Sequence, residues 1–399
     1  MTSPLADASL HPPRTWLILG ERAGDNAQVL ALGRALEWPT TVKQLRYDAN
    51  EPTDFKDRGA SLIGLDRANS DALEAPWPEA IIAIGRRSVP VARWIREQAR
   101  AAGSAEVLHI HLGRPRVDLD LFDLVVTTPQ YNLPAAPNVM EITLPVVSVD
   151  GEALGRAAAQ WHARFAQLPR PWHAVLVGGP TPQLAFGAAE ADRLLVELGP
   201  WHRRQGGSLL VTTSPRTDPQ VVAKLGASLV TTGGMPHLFL PFTGKDGDNP
   251  YLALLALADS FVVSVDSASM VAEAATRRKP IYLFHLPKIA PRRKPGLKAA
   301  FSRTWRERRK RRDDAGLAPD IGDRLYDLWT RRGKARPRRD IDQLERRLIA
   351  LGIAQPLTAN GSGTAPTTSP DLSGPAAEIL EVVRRIHALW RERRLTGGK

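Results

Sequence analysis

The 399-residue chain contains no cysteine. That absence excludes disulfides, thiolate zinc sites, iron–sulfur clusters and a cysteine nucleophile, and it fits a reducing compartment. No apolar run reaches the roughly 18 residues needed to span a bilayer. The N-terminus has no charged-then-apolar signal pattern. We therefore expect a cytoplasmic protein, and the length predicts two or three domains.

Several common catalytic motifs are also missing. The chain has no G-x-x-x-x-G-K-[ST] phosphate loop, no G-x-G-x-x-G after a strand and no G-x-S-x-G nucleophile elbow. His109 and His111 form the only His-x-His pair. Because the sequence offers no third ligand nearby, we expect no metal site, and we interpret the pair as polar side chains at a strand end.

The excess of basic residues lies in one block. Residues 285–350 hold 21 Lys or Arg and 9 Asp or Glu, whereas the rest of the chain holds 33 of each sign. Such a density attracts phosphate in nucleic acid, in anionic lipid headgroups or in a nucleotide. A solvated insert explains the charge equally well. Because no base-reading module is present, we favour an anionic membrane surface, bound through residues 291–339, over nucleic acid.

Strands and helices alternate in two successive series. Residues 14–168 and 172–290 each contain short apolar runs that end in turns, followed by helical spacing of apolar residues. This pattern predicts an α/β protein with two Rossmann-like domains, each built on a parallel sheet. The other segments are predicted to be an N-terminal tail, a basic insert, a flexible linker and an amphipathic helix, at residues 1–13, 291–350, 356–376 and 377–395. The helix either docks on a domain or binds a partner, and we favour docking.

Polar residues follow the first strand of the first domain. After Trp16–Leu19, Gly24 allows a ligand to approach the backbone, and Asp25 is a candidate for removing a proton from an acceptor hydroxyl. Capping of the following helix explains Asp25 as well. Asn26 and Gln28 complete this acceptor-side turn.

The second domain carries comparable turns. Gly178 and Gly179 are predicted to offer free backbone N–H groups at the start of a helix capped by Thr181, which suits a pyrophosphate. Tight packing of a strand against a helix requires the same glycines. After the next strand, Arg216 follows Ser214 and is a candidate counter-charge for a diphosphate.

A further turn precedes a short apolar helix. Asp266 or Ser267 is expected to cap that helix, and Ser269 offers another hydroxyl to phosphate. Glu273 is a candidate acceptor for ribose hydroxyls, although an exposed helix acid is the plainer interpretation. Because ligands of parallel sheets bind at the carboxyl ends of the strands, these turns predict a cleft between the two domains.

The sequence resembles the "elongated mitochondria" fission-factor family over roughly residues 14–290, at Gly24–Gln28, Gly178-Gly179, Thr213-Ser214-x-Arg216-Thr217 and Val265-Asp266-Ser267-x-Ser269-Met270-x-x-Glu273. Plant members recruit a dynamin-related protein to mitochondria. The family is similar to GT-B glycosyltransferases, in which two Rossmann-like domains face each other across a cleft and the second binds a sugar nucleotide. The resemblance implies that Gly24 and Asp25 face the acceptor. It also implies a nucleotide site lined by Gly178, Gly179, Ser214, Arg216, Ser267, Ser269 and Glu273.

We therefore expect a transferase that moves a sugar from a nucleotide to a lipid-linked or cell-surface glycan acceptor at the cytoplasmic membrane face. Asp25 would deprotonate the acceptor, and Arg216 with the helix N-termini would stabilise the departing diphosphate. No metal or other cofactor is expected besides the nucleotide sugar. Two alternatives stay open: a non-catalytic adaptor that recruits protein partners to a membrane, and a nucleic-acid binder that uses residues 285–350.

Overall fold

The computed structural model describes residues 11–48, 58–231, 235–244, 248–289, 308, 318, 320–335, 339–358 and 373–396. The chain forms two compact units. Unit 1 consists of Met1–Ser148, Arg293–Asp340 and Pro375–Lys399, and unit 2 consists of Val149–Arg292 and Ile341–Gly374. The chain therefore leaves unit 1 after residue 148 and returns to it twice.

The strands of unit 1 are β1 Thr15–Leu19, β2 Thr40–Gln44, β3 Ala80–Ile84, β4 Leu108–Leu112, β5 Leu124–Thr127 and β6 Val139–Glu141. Those of unit 2 are β7 Trp172–Val177, β8 Ser208–Thr213, β9 His237–Leu240, β10 Ser260–Ser264, β11 Ile281–Phe284 and β12 Gln355–Pro356. The helices are α1 Ala23–Leu36, α2 Ser88–Ala101, α3 Gly151–Phe165, α4 Ala188–Gln205, α5 Pro219–Thr231, α6 Tyr251–Leu257, α7 Ala268–Ala275, α8 Ile321–Arg331, α9 Ile341–Ala350 and α10 Ser373–Thr396.

Each unit is built on a six-stranded parallel sheet. The strand order is β2-β1-β3-β4-β5-β6 in unit 1 and β12-β11-β10-β7-β8-β9 in unit 2. In unit 1, for example, Thr15 of β1 is in register with Thr40 of β2 on one side and with Ala80 of β3 on the other. These sheets confirm the predicted α/β class with two Rossmann-like domains, while the cleft between the domains stays a prediction.

The central strands are apolar because helices and loops cover both faces of a parallel sheet. Every residue of β1, β4 and β5 is buried. The edge strand β2 is different, since its first three residues are exposed. This exposure explains why the sequence of β2 gives no apolar signal.

Helix α10 completes the core of unit 1. Its buried residues Val382, Val383, Ile386 and Trp390 belong to the same apolar cluster as Leu17 of β1. Glu378 also accepts hydrogen bonds from the backbone N–H of Thr143 at 2.6 Å and from its hydroxyl at 2.8 Å. The amphipathic pattern of the last helix therefore correctly predicted that it docks on a domain.

The boundary between the units lies at Val149 and not between residues 168 and 172, because α3 packs against α6 in unit 2. Residues 1–10 of the predicted tail, 291–307 of the predicted insert and 359–372 of the predicted linker lie outside the described residues. Within the described ranges, every helix is too short or too polar to cross a membrane.

Candidate functional site

The carboxyl ends of β7, β8 and β10 are neighbours at one edge of the unit 2 sheet. There, the side chain of Asp266 is fully buried, and its carboxylate accepts hydrogen bonds from the Gly179 N–H at 3.0 Å and from Arg216 Nη2 at 2.8 Å. One buried carboxylate thus ties together the turns that follow three different strands.

This close approach explains why both residues after β7 are glycines. A Cβ atom on Gly178 would lie 2.2 Å from Asp266 Oδ2, and one on Gly179 would lie 2.2 Å from the backbone oxygen of Arg216. Both distances are far below van der Waals contact, so no side chain fits at either position.

Thr217 holds the turn after β8 in place. Its hydroxyl donates to the Gly178 carbonyl at 2.5 Å and accepts from the Ser214 N–H at 2.9 Å. The Ser214 hydroxyl accepts from the Arg216 N–H at 3.2 Å. The motif contained Thr217, but its structural role could not be distinguished from that of Ser214 in the sequence alone.

The prediction of free N–H groups at Gly178 and Gly179 is wrong. The Gly178 N–H donates to the hydroxyl of Ser264 at 2.8 Å, and the Gly179 N–H donates to Asp266. Because both donors already have buried acceptors, this turn offers no backbone seat for a pyrophosphate.

Thr181 does not cap a helix either. Its hydroxyl accepts from the N–H groups of Gln183 at 3.3 Å and Leu184 at 3.0 Å, which forms a local turn. Helix α4 begins only at Ala188, after the N-cap Gly187. The glycine turn and the helix are therefore separated by an irregular segment, in which Thr181 stays a predicted site residue.

The N-terminus of helix α7 differs from the glycine turn, because no side chain caps it. Ser267 is its N-cap residue, as one of the two predicted alternatives had it, but its side chain forms no cap hydrogen bond. The N–H groups of a first helical turn have no partner within the helix. The half-buried Ser267 and Ser269 therefore lie at an uncapped helix terminus that suits a phosphate.

Glu273 is partly buried, so the interpretation as an exposed helix acid is wrong. Its carboxylate accepts a hydrogen bond from the hydroxyl of Tyr251 on α6. Burial raises the pKa of the Glu273 carboxyl, and the bond from Tyr251 opposes that rise. Burial and the neighbouring Glu273 raise the pKa of the Tyr251 hydroxyl well above its usual value. Tyr251 was not singled out by the sequence.

In unit 1, Asp25 lies in the first turn of α1 at the carboxyl end of β1. The N-cap residue is Arg22, so Asp25 does not cap the helix. Its half-buried carboxylate has no hydrogen-bond or ion-pair partner in the part of the chain that the structure describes. Burial raises the pKa of this carboxyl, and the positive charges of Arg22 and Arg339 oppose the rise.

The other polar side chains of the acceptor-side turn form hydrogen bonds with backbone groups of the same turn. Asn26 accepts from the Gly20 N–H and donates to the Gly20 carbonyl, both at 2.8 Å. Gln28 donates to the Gly24 carbonyl at 3.3 Å. These bonds fix the turn around Asp25, and Gly24 is exposed beside it.

Arginines follow three neighbouring strands of the unit 1 sheet, which was not recognised from the sequence. They stand two or more residues after the ends of β1, β3 and β4: Arg22, Arg86, Arg87, Arg114 and Arg116. Glycine directly follows each of these strands. The repeated pattern of a buried strand, glycine and arginine was the signal that could have revealed this cationic edge.

Arg339 of the basic block lies at the same edge. Its Nε donates to Oε1 of the buried Gln130, and its guanidinium carbon lies 5.9 Å from the ring centre of Tyr131. The Asp340 N–H anchors the same segment on the Gln130 carbonyl at 2.7 Å. This part of the predicted insert is therefore built into unit 1.

His109 and His111 lie in the core and not at a strand end. Both are fully buried on β4, with ring centres 4.8 and 5.0 Å from that of Phe122. Within the described ranges, none of their ring nitrogens has a hydrogen-bond partner. Burial lowers the pKa of His111 to about 3, and burial together with the neighbouring His111 lowers that of His109 well below its usual value.

A different cluster has the composition of a metal site. Ligand atoms of His285, Asp342 and Glu345 lie within 4.8 Å of one another. His285 Nδ1 is 2.8 Å from Glu345 Oε2, and Lys288 Nζ is 2.5 Å from Asp342 Oδ2. Because an ammonium group already neutralises Asp342, we interpret the cluster as an ion-pair network of unit 2.

The fold and these sites define a protein with two Rossmann-like units, each with chemically functional side chains at the carboxyl edge of its sheet. The family model described as Mitochondrial fission ELM1 matches residues 23–308, and the chain belongs to this family.

Two relatives illustrate the family similarity. Over 251 residues the chain is 29% identical to the mitochondrial fission protein ELM1 of Arabidopsis thaliana, covering 56% of this chain and 55% of that protein. Over 305 residues it is 23% identical to an uncharacterized protein of Rickettsia prowazekii, covering 68% and 83%. The chain thus matches little more than half the length of the Arabidopsis relative.

Solved structures that the chain resembles include two sugar-nucleotide proteins. The UDP-GlcNAc 2-epimerase from Methanocaldococcus jannaschii has a TM-score of 0.42 at 12% identity, covering 92% of this chain and 99% of that chain. A UDP-glucosyltransferase from Polygonum tinctorium has a TM-score of 0.44 at 10% identity, covering 95% and 99%. Scores this low identify neither a substrate nor a reaction.

Proposed function

We propose that this protein transfers a sugar from a nucleotide-sugar donor to a hydroxyl of a lipid-linked or cell-surface glycan acceptor at the cytoplasmic face of a membrane. The observation that carries the proposal is the uncapped N-terminus of α7, which has Ser267, Ser269 and Glu273 around it at the carboxyl edge of the unit 2 sheet. Membership of the ELM1 family is consistent with it but specifies no reaction.

In the proposed donor site, the diphosphate binds to the first-turn N–H groups of α7 and to the hydroxyls of Ser267 and Ser269. Glu273, held by Tyr251, accepts hydrogen bonds from the ribose hydroxyls. Arg216 gives a second contact to the diphosphate, since 45% of its side chain is exposed while Nη2 stays on Asp266. The buried carboxylate thereby fixes the direction of the guanidinium.

In unit 1, Asp25 acts as the general base. A carboxylate without a partner and with a pKa raised by burial is suited to accept a proton. The acceptor oxygen forms a bond to the anomeric carbon of the sugar as the bond from that carbon to the diphosphate oxygen breaks. The acceptor proton moves to Asp25, and the nucleoside diphosphate leaves with the electron pair. The proposal includes no metal or other cofactor.

The proposed membrane contact is supported by α8 in the basic block. Ile321, Leu325, Leu328 and Trp329 are between 46% and 79% exposed, and their spacing places them on one face of the helix. In the sequence, arginines of the basic block precede and follow α8. Within α8 itself, two arginines are balanced by Asp323 and Asp327, so the positive charge comes from the flanking segments. An exposed apolar helix face between basic segments is typical of a segment that lies in the headgroup region of an anionic membrane.

The test begins with thermal-shift measurements of the full chain against nucleoside diphosphates and their sugars. One nucleotide is expected to stabilise the wild type and to lose its effect in Glu273→Gln and Ser269→Ala. Glu152→Gln, which removes an exposed carboxylate of unit 2, is the matched control. If no nucleotide at millimolar concentration shifts the melting temperature of the wild type, the transferase proposal fails.

The nucleotide that binds is then used as a labelled sugar donor with membrane extracts. Asp25→Asn is expected to reduce transfer by about a hundredfold or more while leaving the nucleotide-induced shift unchanged, because only proton removal is affected. Retention of both binding and full turnover in this variant would contradict the role assigned to Asp25.

A further inference from the structure

The proposed transfer needs an acceptor, and the inference drawn here rests on that function. We propose that the acceptor carries a phosphate group, which binds at the carboxyl edge of the unit 1 sheet beside Asp25. Arg22, Arg114 and Arg339 are its contacts. The phosphate fixes the acceptor so that its hydroxyl faces Asp25.

The first observation is the charge of this edge. β1, β3 and β4 are adjacent in the sheet, and an arginine follows each of them. Up to six residues after the strand ends, the same turns contain three carboxylates, Glu21, Asp25 and Asp118, and Asp118 lies 4.0 Å from Arg332. Glu21 is bound by Arg87 at 3.2 Å. The unbonded carboxylate of Asp25 thus lies within electrostatic reach of two guanidinium groups, those of Arg22 and Arg339, at an edge with an excess of arginines, which is a net positive site of the kind that holds phosphate.

The second observation is that Arg339 is held in a fixed direction. Its Nε donates to Oε1 of Gln130, and Nε2 of Gln130 donates to the Thr128 hydroxyl at 2.9 Å. Gln130 and Thr128 are only 2% and 5% exposed. Two buried side chains therefore orient the guanidinium, while its terminal NH₂ groups contact no acceptor among the described residues. A fixed pair of NH₂ groups matches the oxygen geometry of a phosphate.

The third observation is the proximity of two like charges. The guanidinium carbons of Arg114 and Arg339 each lie 5.9 Å from the ring centre of Tyr131. The two guanidinium carbons therefore lie no more than about 12 Å apart, and an anion bound between them would lower their mutual repulsion.

Asp25 lies within the electrostatic reach of Arg22 and Arg339 but forms an ion pair with neither. The carboxylate and the arginines thus face a common region without contact. A phosphate bound by the arginines places its negative charge near Asp25, which raises the pKa of that carboxyl further. The base is then strengthened only when an acceptor is bound.

The chemistry required is a phosphate ester with a free hydroxyl a few bonds away, whether in a soluble molecule or in a lipid headgroup. The probe is sn-glycerol 3-phosphate, titrated calorimetrically into the full chain. We expect binding that weakens about tenfold or more in Arg339→Gln and in Arg22→Gln. The affinity of Arg339→Lys for the probe is expected to lie between that of the two glutamine variants and that of the wild type, because a lysine keeps the charge but not the planar contact.

Arg34→Gln is the matched control, because Arg34 is an exposed arginine at the opposite end of α1. Equal weakening in this control, or no binding of the probe and of phosphatidic acid vesicles alike, would overturn the proposal. Binding to phosphatidic acid vesicles but not to the soluble probe, with the same loss in Arg339→Gln and none with phosphatidylcholine, supports the site and identifies a lipid source.

Glu273→Gln separates this inference from the proposed function. The variant is expected to bind glycerol phosphate as the wild type does, because it changes only the donor site of unit 2. If the wild type binds glycerol phosphate through Arg339 but binds no nucleotide, the phosphate site is supported and the transferase proposal is refuted.

Discussion

The carboxyl edges of the two sheets differ in whether their charged side chains are paired. In unit 2, Asp266 is buried and bonded to Arg216 and to the Gly179 N–H, so the charges at this edge stabilise the protein's own turns. In unit 1, Asp25 and Arg22 follow β1, also at the carboxyl edge of the sheet, and form no ion pair. The comparison teaches that the carboxyl edge of a parallel sheet can hold charges that neutralise each other or charges that stay unpaired.

The two sheets also differ in whether their buried histidines have hydrogen-bond partners. In unit 2, the buried His173 has both ring nitrogens bonded, to the Ser260 hydroxyl at 2.7 Å and to the Gly206 carbonyl at 3.1 Å. In unit 1, the rings of His109 and His111 pack against Phe122 without such partners. Unit 1 therefore contains polar groups whose protonation the fold cannot accommodate.

The largest expected effect is the loss of unit 1 stability in acid. The pKa values of His109 and His111 are lowered in the folded state, so the unfolded chain binds protons first as the pH falls. Stability is complete above about pH 6.5 and decreases below it, by about 3 kcal/mol at pH 4 for His111 alone. Urea unfolding at pH 7.5 and pH 4 measures the decrease.

The double substitution His109→Leu with His111→Leu is expected to remove most of that pH dependence. His11→Leu, which replaces an exposed histidine of unit 1, serves as the control. An unchanged decrease in the double variant would show that carboxylates, and not the buried imidazoles, cause the acid sensitivity.

The next effect concerns the anchor of unit 2. Arg216→Met leaves the buried carboxylate of Asp266 without its cation, and we expect the free energy of unfolding to fall by about 2–3 kcal/mol. Arg203→Met, at an exposed arginine of α4, is the control. Tryptophan fluorescence during urea unfolding measures both. A loss no larger than in the control would mean that the edge of unit 2 is not self-stabilising.

The smallest effect is expected at the edge of unit 1. Because Arg22 is exposed and pairs with no carboxylate, Arg22→Gln should change the free energy of unfolding by no more than about 0.5 kcal/mol. The same urea titration provides the measurement, with the wild type as reference. A loss as large as that of Arg216→Met would remove the distinction between the two edges.

The central strands were predictable because their apolar runs directly reflect burial. The apolar runs at Ala80–Ile84 and Leu124–Thr127 predict two strands, and these are the bounds of β3 and β5. The pattern at residues 228–231 also predicts a strand, and that prediction is wrong. There α5 continues to Thr231, and Leu225 and Leu229 are buried one turn apart. A short β-branched run cannot be assigned from periodicity alone.

Candidate residues could be named from the sequence where they follow a strand in the same turn or helix. Asp25 after β1 and Glu273 in the helix after β10 were named in this way and stay predicted site residues. Arg339 was not, because it reaches Gln130 across more than 200 residues of sequence, and only tertiary folding brings them together. The N–H groups of Gly178 and Gly179 donate to Ser264 and Asp266, which belong to a neighbouring strand and its turn. Because these acceptors are distant in the sequence, the two N–H groups could not be recognised as bonded from the sequence alone.

The docking of α10 also has a consequence for the order in which the protein is made. During synthesis, the strands of unit 1 leave the ribosome first, but the helix that closes their core follows more than 200 residues later. All residues of unit 2 are available before Val382, Val383 and Ile386 reach the unit 1 sheet. The unit whose synthesis starts first is thus completed last, and a chain interrupted after residue 374 holds a complete unit 2 beside an open unit 1.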